Sequence, residues 1–402
     1  MPAWHDGNDQ RMTRPSTSIG VFTATRAEYG LLRPVLAAME ASKKIRPFLI
    51  VAGAHLSARH GATLSEIKAD GRAPAAFVPS PMVGDDGLSA ARDMAQTLSG
   101  CAEAYAAMEL DAVIILGDRT EALAAAAAAV PLALPIVHLE GGHRTAGAVD
   151  DAIRHAISKL AAMHFTGAEP YRQRLLQMGE DPERVFTVGS TGVDNLEAFG
   201  RKTAAEASAI TGLDLPEGFV LATFHPETLA ATPARDQVAA FIAGLEGAGN
   251  RTLLITLPNA DVGSGTVRAA LERFAAQAPE RVRLVASLGA KGYAAALTAC
   301  AAVVGNSSSG MIEAPAAGVP TVNVGDRQEG RLRAPSVIDC ALSPDAIASA
   351  LRRALVPDFR RMAKAQPPMF GDGHAGQRIV DILETTDFAG LARKPFIDLQ
   401  MR

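Results

Sequence analysis

Short apolar runs rich in valine, isoleucine and leucine recur along the chain. Each ends in glycine or a polar residue and is followed by a stretch with helical spacing. The first set is SIGVFTAT (18–25), RPFLIVAG (46–53), AVIILGD (112–118), LPIVHLE (134–140), MHFTG (163–167) and RVFTVGS (184–190). The second is FVLATFH (219–225), RTLLITLP (251–258), RVRLVAS (281–287), AAVVGNS (301–307) and PTVNVGD (320–326). Helical spacing fills 27–39, 121–129, 151–162, 239–247 and 264–276. Continuously apolar strands alternating with helices predict parallel sheets covered on both faces. Two sets of five or six strands predict an α/β chain with two doubly wound, Rossmann-like domains facing a central cleft. The polar, strand-free stretch 195–218 marks the junction. The predicted units are a flexible tail (1–17), an N-terminal domain (18–197), a C-terminal domain (198–372) and a helical segment (373–402) returning to the first domain. After Ser336 only helical patterning is expected, broken by AQPPMFGDG. In such folds ligands bind beyond the C-terminal strand ends, here in the cleft between domains.

Composition narrows the function. The 402 residues are 48% hydrophobic and 20% charged, with a net charge of -4. That balance lacks the basic stripe expected for a nucleic-acid partner. Cys101, Cys300 and Cys340 are scattered and form no CxxC, against a disulfide framework or zinc site and in keeping with a reducing cytoplasm. The first 20 residues carry no apolar signal-peptide core. The longest apolar stretch, ALAAAAAAVPLALPIV (122–137), is mostly alanine and broken by two prolines. A membrane span needs about 20 strongly apolar residues, so this stretch predicts a close-packed helix and then a strand.

Ionisable residues gather at the strand ends: Asp118 and Arg119, His138 and Glu140, His225, then Asn259 and Asp261. Each alone is a plausible cap or turn residue; together they point to one cleft. VVGNSSSGMIEAPAAG (303–318) runs from a strand into a Ser/Gly loop and a helix. That pattern predicts a phosphate cradle with Ser307, Ser308 and Ser309 as donors. Glu313, one to two turns into the helix, would reach ribose hydroxyls. NVGDRQEGRLRA (323–334) brings Arg327, Gln328, Arg331 and Arg333 beside that loop, and TATRAEYG places Arg26 at a strand-to-helix turn. Guanidinium forks suit a diphosphate. HLEGGHRTAGAVDDAIRH (138–155) crowds three carboxylates, three histidines and two arginines around a Gly-Gly break. A metal reading would pair His138, Glu140 and His143, but Gly141 and Gly142 break the helix that an HExxH site needs. No metal or cofactor is expected. Asp150 and Asp151 fall at a helix start, where the dipole favours carboxylates, and Arg154 follows one turn later.

These motifs together resemble the UDP-N-acetylglucosamine 2-epimerase family, most closely its hydrolysing, sialic-acid-type branch. The resemblance rests on TRAEYGLLRPVL, GAHLSARHGATLSEI, LGDRTEALAAA, HLEGG, GAVDDAIRHAISKLAAMHFTG, MGEDPERVFTVGSTGVDNL, HPET, PNAD and GNSSSGMIEAPAAGVPTVNVGDRQEGR, in that order over about 20 to 340. It implies a glycosyltransferase-B-like fold with the nucleotide on the C-terminal domain. By motif, Asp118, Glu140 and Asp150 correspond to catalytic carboxylates, and His225 to a histidine near the diphosphate. Arg26, Arg119, Arg154, Asn259, Asp261, Ser307, Ser308, Glu313, Arg327, Gln328 and Arg331 correspond to nucleotide-sugar contacts. His143 departs from the pattern, because the hydrolysing branch usually carries Glu there.

The implied reaction is UDP-N-acetylglucosamine plus water to N-acetylmannosamine and UDP. Loss of UDP from C1 acidifies the C2 proton, a base takes it to give a glycal, and water returns at C1 with C2 protonated from the other face. Such a route needs carboxylates on both faces and cations for the departing diphosphate. Open alternatives are a UDP- or GDP-linked diacetamido sugar on a legionaminic-acid route, a non-hydrolysing 2-epimerase, a glycosyltransferase and a nucleotide-sugar binding protein. A homodimer or homotetramer is the expected assembly, with no membrane partner.

Overall fold

The computed structural model describes residues 16–57, 63–80, 84, 86–259 and 261–398. Nearly all of the tail expected over 1–17 lies outside them, as do residues 58–62 of the GAHLSARHGATLSEI motif. Seven strands form the first sheet: β1 (Thr17–Thr23), β2 (Ile45–Ala52), β3 (Ala76–Val78), β4 (Ala112–Leu116), β5 (Ile136–Leu139), β6 (Met163–Thr166) and β7 (Val185–Thr187). Six form the second: β8 (Val220–Thr223), β9 (Leu253–Thr256), β10 (Val282–Val285), β11 (Ala302–Gly305), β12 (Thr321–Val324) and β13 (Val337–Cys340). All pairings are parallel. The orders are β3-β2-β1-β4-β5-β6-β7 and β10-β9-β8-β11-β12-β13.

The helices are α1 (Arg26–Ala41), α2 (Leu64–Ala69), α3 (Gly87–Met108), α4 (Thr120–Ala129), α5 (Asp150–Leu160), α6 (Glu169–Gln177), α7 (Thr191–Phe199) and α8 (Ala204–Thr211). Then come α9 (Ala234–Gly244), α10 (Ser264–Gln277), α11 (Gly289–Ala299), α12 (Glu313–Ala316), α13 (Pro344–Ala354), α14 (Pro357–Ala365) and α15 (Ala375–Leu383). The central strands are buried throughout, as their unbroken apolar runs predict. α4 packs on the sheet through alanines, whose small side chains let its backbone approach closely, and seven of its ten residues are buried. None of the helices among the described residues is long and apolar enough to cross a membrane.

Two strands depart from the sequence pattern. β13 follows Ser336, where only helices are expected, and pairs with β12. β3 falls in a stretch that shows no strand pattern. Both are edge strands of three or four residues, partly exposed and with one neighbour, so neither needs an unbroken apolar run.

α15 lies against α1, and its Ile379, Val380 and Leu383 are buried in the core of the first sheet. Asp194 of α7 accepts hydrogen bonds from the Ala375 and Gly376 amides, capping α15 at its start. Each such apolar side chain contributes about 1.5–3 kcal/mol when fully buried.

Candidate active site

Each sheet reverses its winding at one point. In the first, β1 lies beside β4; in the second, β8 lies beside β11. Crevices open at such switch points. The residues beyond these four strands are Arg26, Asp118, His225 and Ser307, and all four line the cleft. One cavity of about 180 Å³ is lined by Arg26, Tyr293, Ser309 and Glu313. Its neighbour, of about 140 Å³, is lined by Asp118, Arg119, Thr145, Asp150, Arg327, Gln328 and Arg331. His225, Asn259, Ser307 and Ser308 line both.

The carboxylate wall comes from β4 and α5. Asp118 pairs with Arg154, which is buried and also donates to the Thr145 hydroxyl at 3.0 Å and the His143 carbonyl at 3.3 Å. Arg154 is therefore the support behind Asp118, and contact with a ligand through its guanidinium, as the motif implies, does not fit its burial. Asp150 opens α5 and faces the cavity. Burial raises its carboxyl above the usual range, with Arg327 working against that.

Glu140 departs from a direct place on this wall. It follows β5 with φ 62°, a left-handed conformation costing a non-glycine residue about 1–3 kcal/mol. It lines neither cavity. Its carboxylate accepts from the Ser190 hydroxyl at 2.9 Å and bonds His143 Nε2 at 2.8 Å. Burial opposes ionisation, but His143, Ser190 and Arg331 together outweigh it and hold Glu140 below its usual range. The turn after Glu140 needs its glycines: a Cβ on Gly142, at φ 77°, would lie 2.2 Å from the Tyr171 carbonyl oxygen.

The cationic wall spans both domains. Arg119 reaches across to Asp261 at 2.9 Å, and Asp261 also lies 3.5 Å from His225 Nδ1 and 3.8 Å from Arg327. Burial alone would raise the Asp261 carboxyl; Arg119, His225 and Arg327 outweigh it and hold it well below the usual range. Arg327 and Gln328 donate to the Asn306 carbonyl at 3.1 and 2.8 Å. Arg26 donates to the Leu257 carbonyl at 2.9 Å, also bridging the domains.

The Ser/Gly loop differs from its expected form. Ser307 caps a single 3-10 turn, Ser308–Gly310, by accepting from the Ser309 amide at 3.4 Å. Glu313 then begins the four-residue α12 instead of sitting inside a long helix. The helix dipole here is correspondingly short, so Ser307 and Ser308 offer hydroxyls and loop amides. The backbone turns at Gly305, φ 139°, where a Cβ would lie 1.8 Å from the Thr223 carbonyl oxygen. Burial raises the Glu313 carboxyl to about 7.

Three residues escaped the sequence reading. Asn306 pins β11 to β8, accepting from the His225 amide at 2.7 Å and donating to the His225 carbonyl at 2.8 Å. Glu227 accepts from the Asp326 and Arg327 amides at 2.9 and 3.2 Å and so sets the arginine loop. Glu28 lines the second cavity while closing the capping box of α1. The signals were there in GNSSSG, HPET and TRAE, but each also reads as an ordinary turn or cap. Among the described residues no cluster of histidine, cysteine or acidic side chains has metal-site geometry.

Against known proteins, the family model described as UDP-N-acetylglucosamine 2-epimerase matches residues 37–384. The chain is 36% identical, over 90% of its length and 94% of the relative's, to the Legionella pneumophila UDP-N,N'-diacetylbacillosamine 2-epimerase (hydrolyzing). It is 34% identical, over 81% of its length and 84% of the relative's, to the Campylobacter jejuni GDP/UDP-N,N'-diacetylbacillosamine 2-epimerase (hydrolyzing). Among solved structures, the Neisseria meningitidis UDP-GlcNAc 2-epimerase bound to UDP-GlcNAc superposes with a TM-score of 0.76 at 17% identity, covering 92% of this chain and 100% of that one. That likeness carries the fold: two doubly wound domains of the glycosyltransferase-B type, facing one cleft.

Proposed function

This chain belongs to the UDP-N-acetylglucosamine 2-epimerase family, and from that premise we propose that it is a hydrolysing 2-epimerase of a nucleotide-linked 2-acetamido sugar. The first substrate to test is UDP-N-acetylglucosamine, with N-acetylmannosamine and UDP as products. The observation that carries the reading is the opposition of two walls. Asp118 and Asp150 face His225, Arg327, Ser307 and Ser308 across one cavity.

The cationic wall receives the diphosphate. Arg26, Arg119 and Arg327 stabilise the charge that develops as the C1–O bond breaks and its electron pair leaves with UDP. Glu313 and Tyr293 sit at the far end, placed for the ribose and base. Asp118, ion-paired with Arg154, is the group to stabilise the C1 cation or take the C2 proton. Asp150, with its raised pKa, is suited to carry the proton that C2 receives on the other face. Water supplies oxygen to C1 and its proton returns to the carboxylates. Glu140, one layer back, balances the charge of Arg331.

A second substrate has its own support. Both curated relatives above bear names specifying N,N'-diacetylbacillosamine, and His143 marks a local departure from the sialic-acid pattern. The test is proton NMR of the products from UDP-N-acetylglucosamine and from UDP- and GDP-N,N'-diacetylbacillosamine. Free 2-epimerised sugar plus nucleoside diphosphate is expected from at least one. A product still linked to nucleotide, or release that needs an added acceptor, would overturn the hydrolysing reading.

A further inference from the structure

His143 occupies a position where an acid is usual in the hydrolysing branch, and its surroundings specify its chemistry. The side chain is buried, 2% exposed. Nε2 lies 2.8 Å from a Glu140 carboxylate oxygen, and Nδ1 lies 2.8 Å from Arg331 Nη1. The ring stacks on Tyr171, with centroids 3.8 Å apart and planes at 23°. The Tyr171 hydroxyl accepts from the Leu332 amide at 3.3 Å, so one side chain supports both the imidazole and the segment carrying Arg331.

The tautomer follows from donor counting. A guanidinium has no acceptor, so Nδ1 must accept from Arg331 and cannot carry a proton. The remaining proton sits on Nε2, which donates to Glu140. Protonation would point an Nδ1–H at a cation and leave no acceptor for it. The other groups facing the ring or its turn are Arg174, which binds the Gly142 carbonyl, and Arg154, which binds the His143 carbonyl. Both are cations and disfavour imidazolium. Burial and the Arg331 charge accordingly lower His143 to about 4.

We propose that His143 is a positioning residue that acts as a neutral, Nε2-protonated link, aiming Arg331 into the sugar end of the cleft and holding the strained Glu140 in place. Arg331 lines the cavity beside Asp118 and Asp150, and its buried Nε has no partner. A buried donor without a partner is costly, so this one is poised for a ligand. A glutamate at 143 would accept from Arg331 but leave Glu140 with only the Ser190 hydroxyl as a donor, and it would add a second carboxylate. The neutral imidazole leaves one anion and one cation, Glu140 and Arg331, in balance.

The inference rests on the hydrolysing reading for its kinetic consequence, not for its chemistry. The chemistry is read by ¹⁵N NMR of histidine-labelled protein, with His143→Gln used for assignment. A protonated Nε2 and a bare Nδ1 are expected from about pH 6 to about pH 8. An imidazolium, or a proton on Nδ1, at neutral pH overturns the proposal. The consequence is read by turnover of the nucleotide sugar that the wild type hydrolyses. His143→Leu is expected to lower kcat about 10- to 100-fold while KM moves less than about threefold. His143→Gln, with an amide donor for Glu140 and a carbonyl for Arg331, recovers most of that loss. A leucine variant within about threefold of wild-type kcat overturns the positioning role. If the wild type hydrolyses no nucleotide sugar, the proposed function fails, while the ring-nitrogen measurement still decides the state of His143.

Discussion

At the scale of single residues, Asp118 and Asp150 are the cavity-lining carboxylates to which we assign the chemistry. Asp118 is held by a buried arginine and Asp150 by its place at the start of α5. Removing a positioned acid or base typically costs 10²- to 10⁴-fold. Asp118→Asn and Asp150→Asn should therefore each lower nucleoside diphosphate release by about that factor, while the dissociation constant for UDP stays within about threefold. Rapid-quench turnover and calorimetry on the same samples separate the two. Asp118 was legible in the sequence as one of several ionisable residues gathered at strand ends, and Asp150 as an acid at a helix start. The distinction between Asp150 in the cavity and Glu140 behind it was not, because it depends on the left-handed turn at Glu140 and on where Tyr171 and Arg331 come to lie.

At the scale of elements, α1 shows how a cap can double as a cavity wall. The Glu28 carboxylate accepts from the Ala24 and Thr25 amides at 2.7 and 3.1 Å, while its other oxygen is buried without a partner. Burial, with Glu121 adding to it, raises Glu28 to about 7. An acid whose pKa is raised by folding costs stability when it ionises. That cost is absent below its unfolded pKa of about 4.3, grows as pH rises through the window to about 7 and is constant above. Glu28→Gln does not titrate and keeps the acceptor oxygen. It should match wild type near pH 4.5 and exceed it by up to about 3 kcal/mol at pH 7.5, measured by urea unfolding. The opposite trend would mean that ionised Glu28 stabilises the fold as an N-terminal anion. The capping box itself was readable from TRAE; the burial of its glutamate, with Arg119 and Glu121 nearby, was not.

At the scale of the whole molecule, two sheets present their switch points to each other, and the polar groups between them come in opposed sets. Arg119 to Asp261 and Arg26 to Leu257 already tie the domains. A nucleoside diphosphate entering this wall should act as a further tie. At a hundred times its dissociation constant, UDP should stabilise the chain by about 2.7 kcal/mol, read as a rise in Tm, and Arg327→Ala should weaken its binding about tenfold or more. An unchanged Tm at those concentrations would mean that UDP does not bind the folded chain. The sequence alone determined the fold class, because unbroken apolar runs alternating with helices have few solutions besides parallel sheets. It also pointed to part of the cleft lining, Asp118, Arg119, His225 and Asn259, because strand-end polarity is a local signal. Tertiary structure decided the edge strands β3 and β13, whose one-sided pairing leaves no apolar run. It also decided the short 3-10 form of the serine loop, the retreat of Arg154 behind Asp118 and the part played by His143. Each of those depends on which distant side chain supplies the missing donor, acceptor or counter-charge, and no local pattern records that.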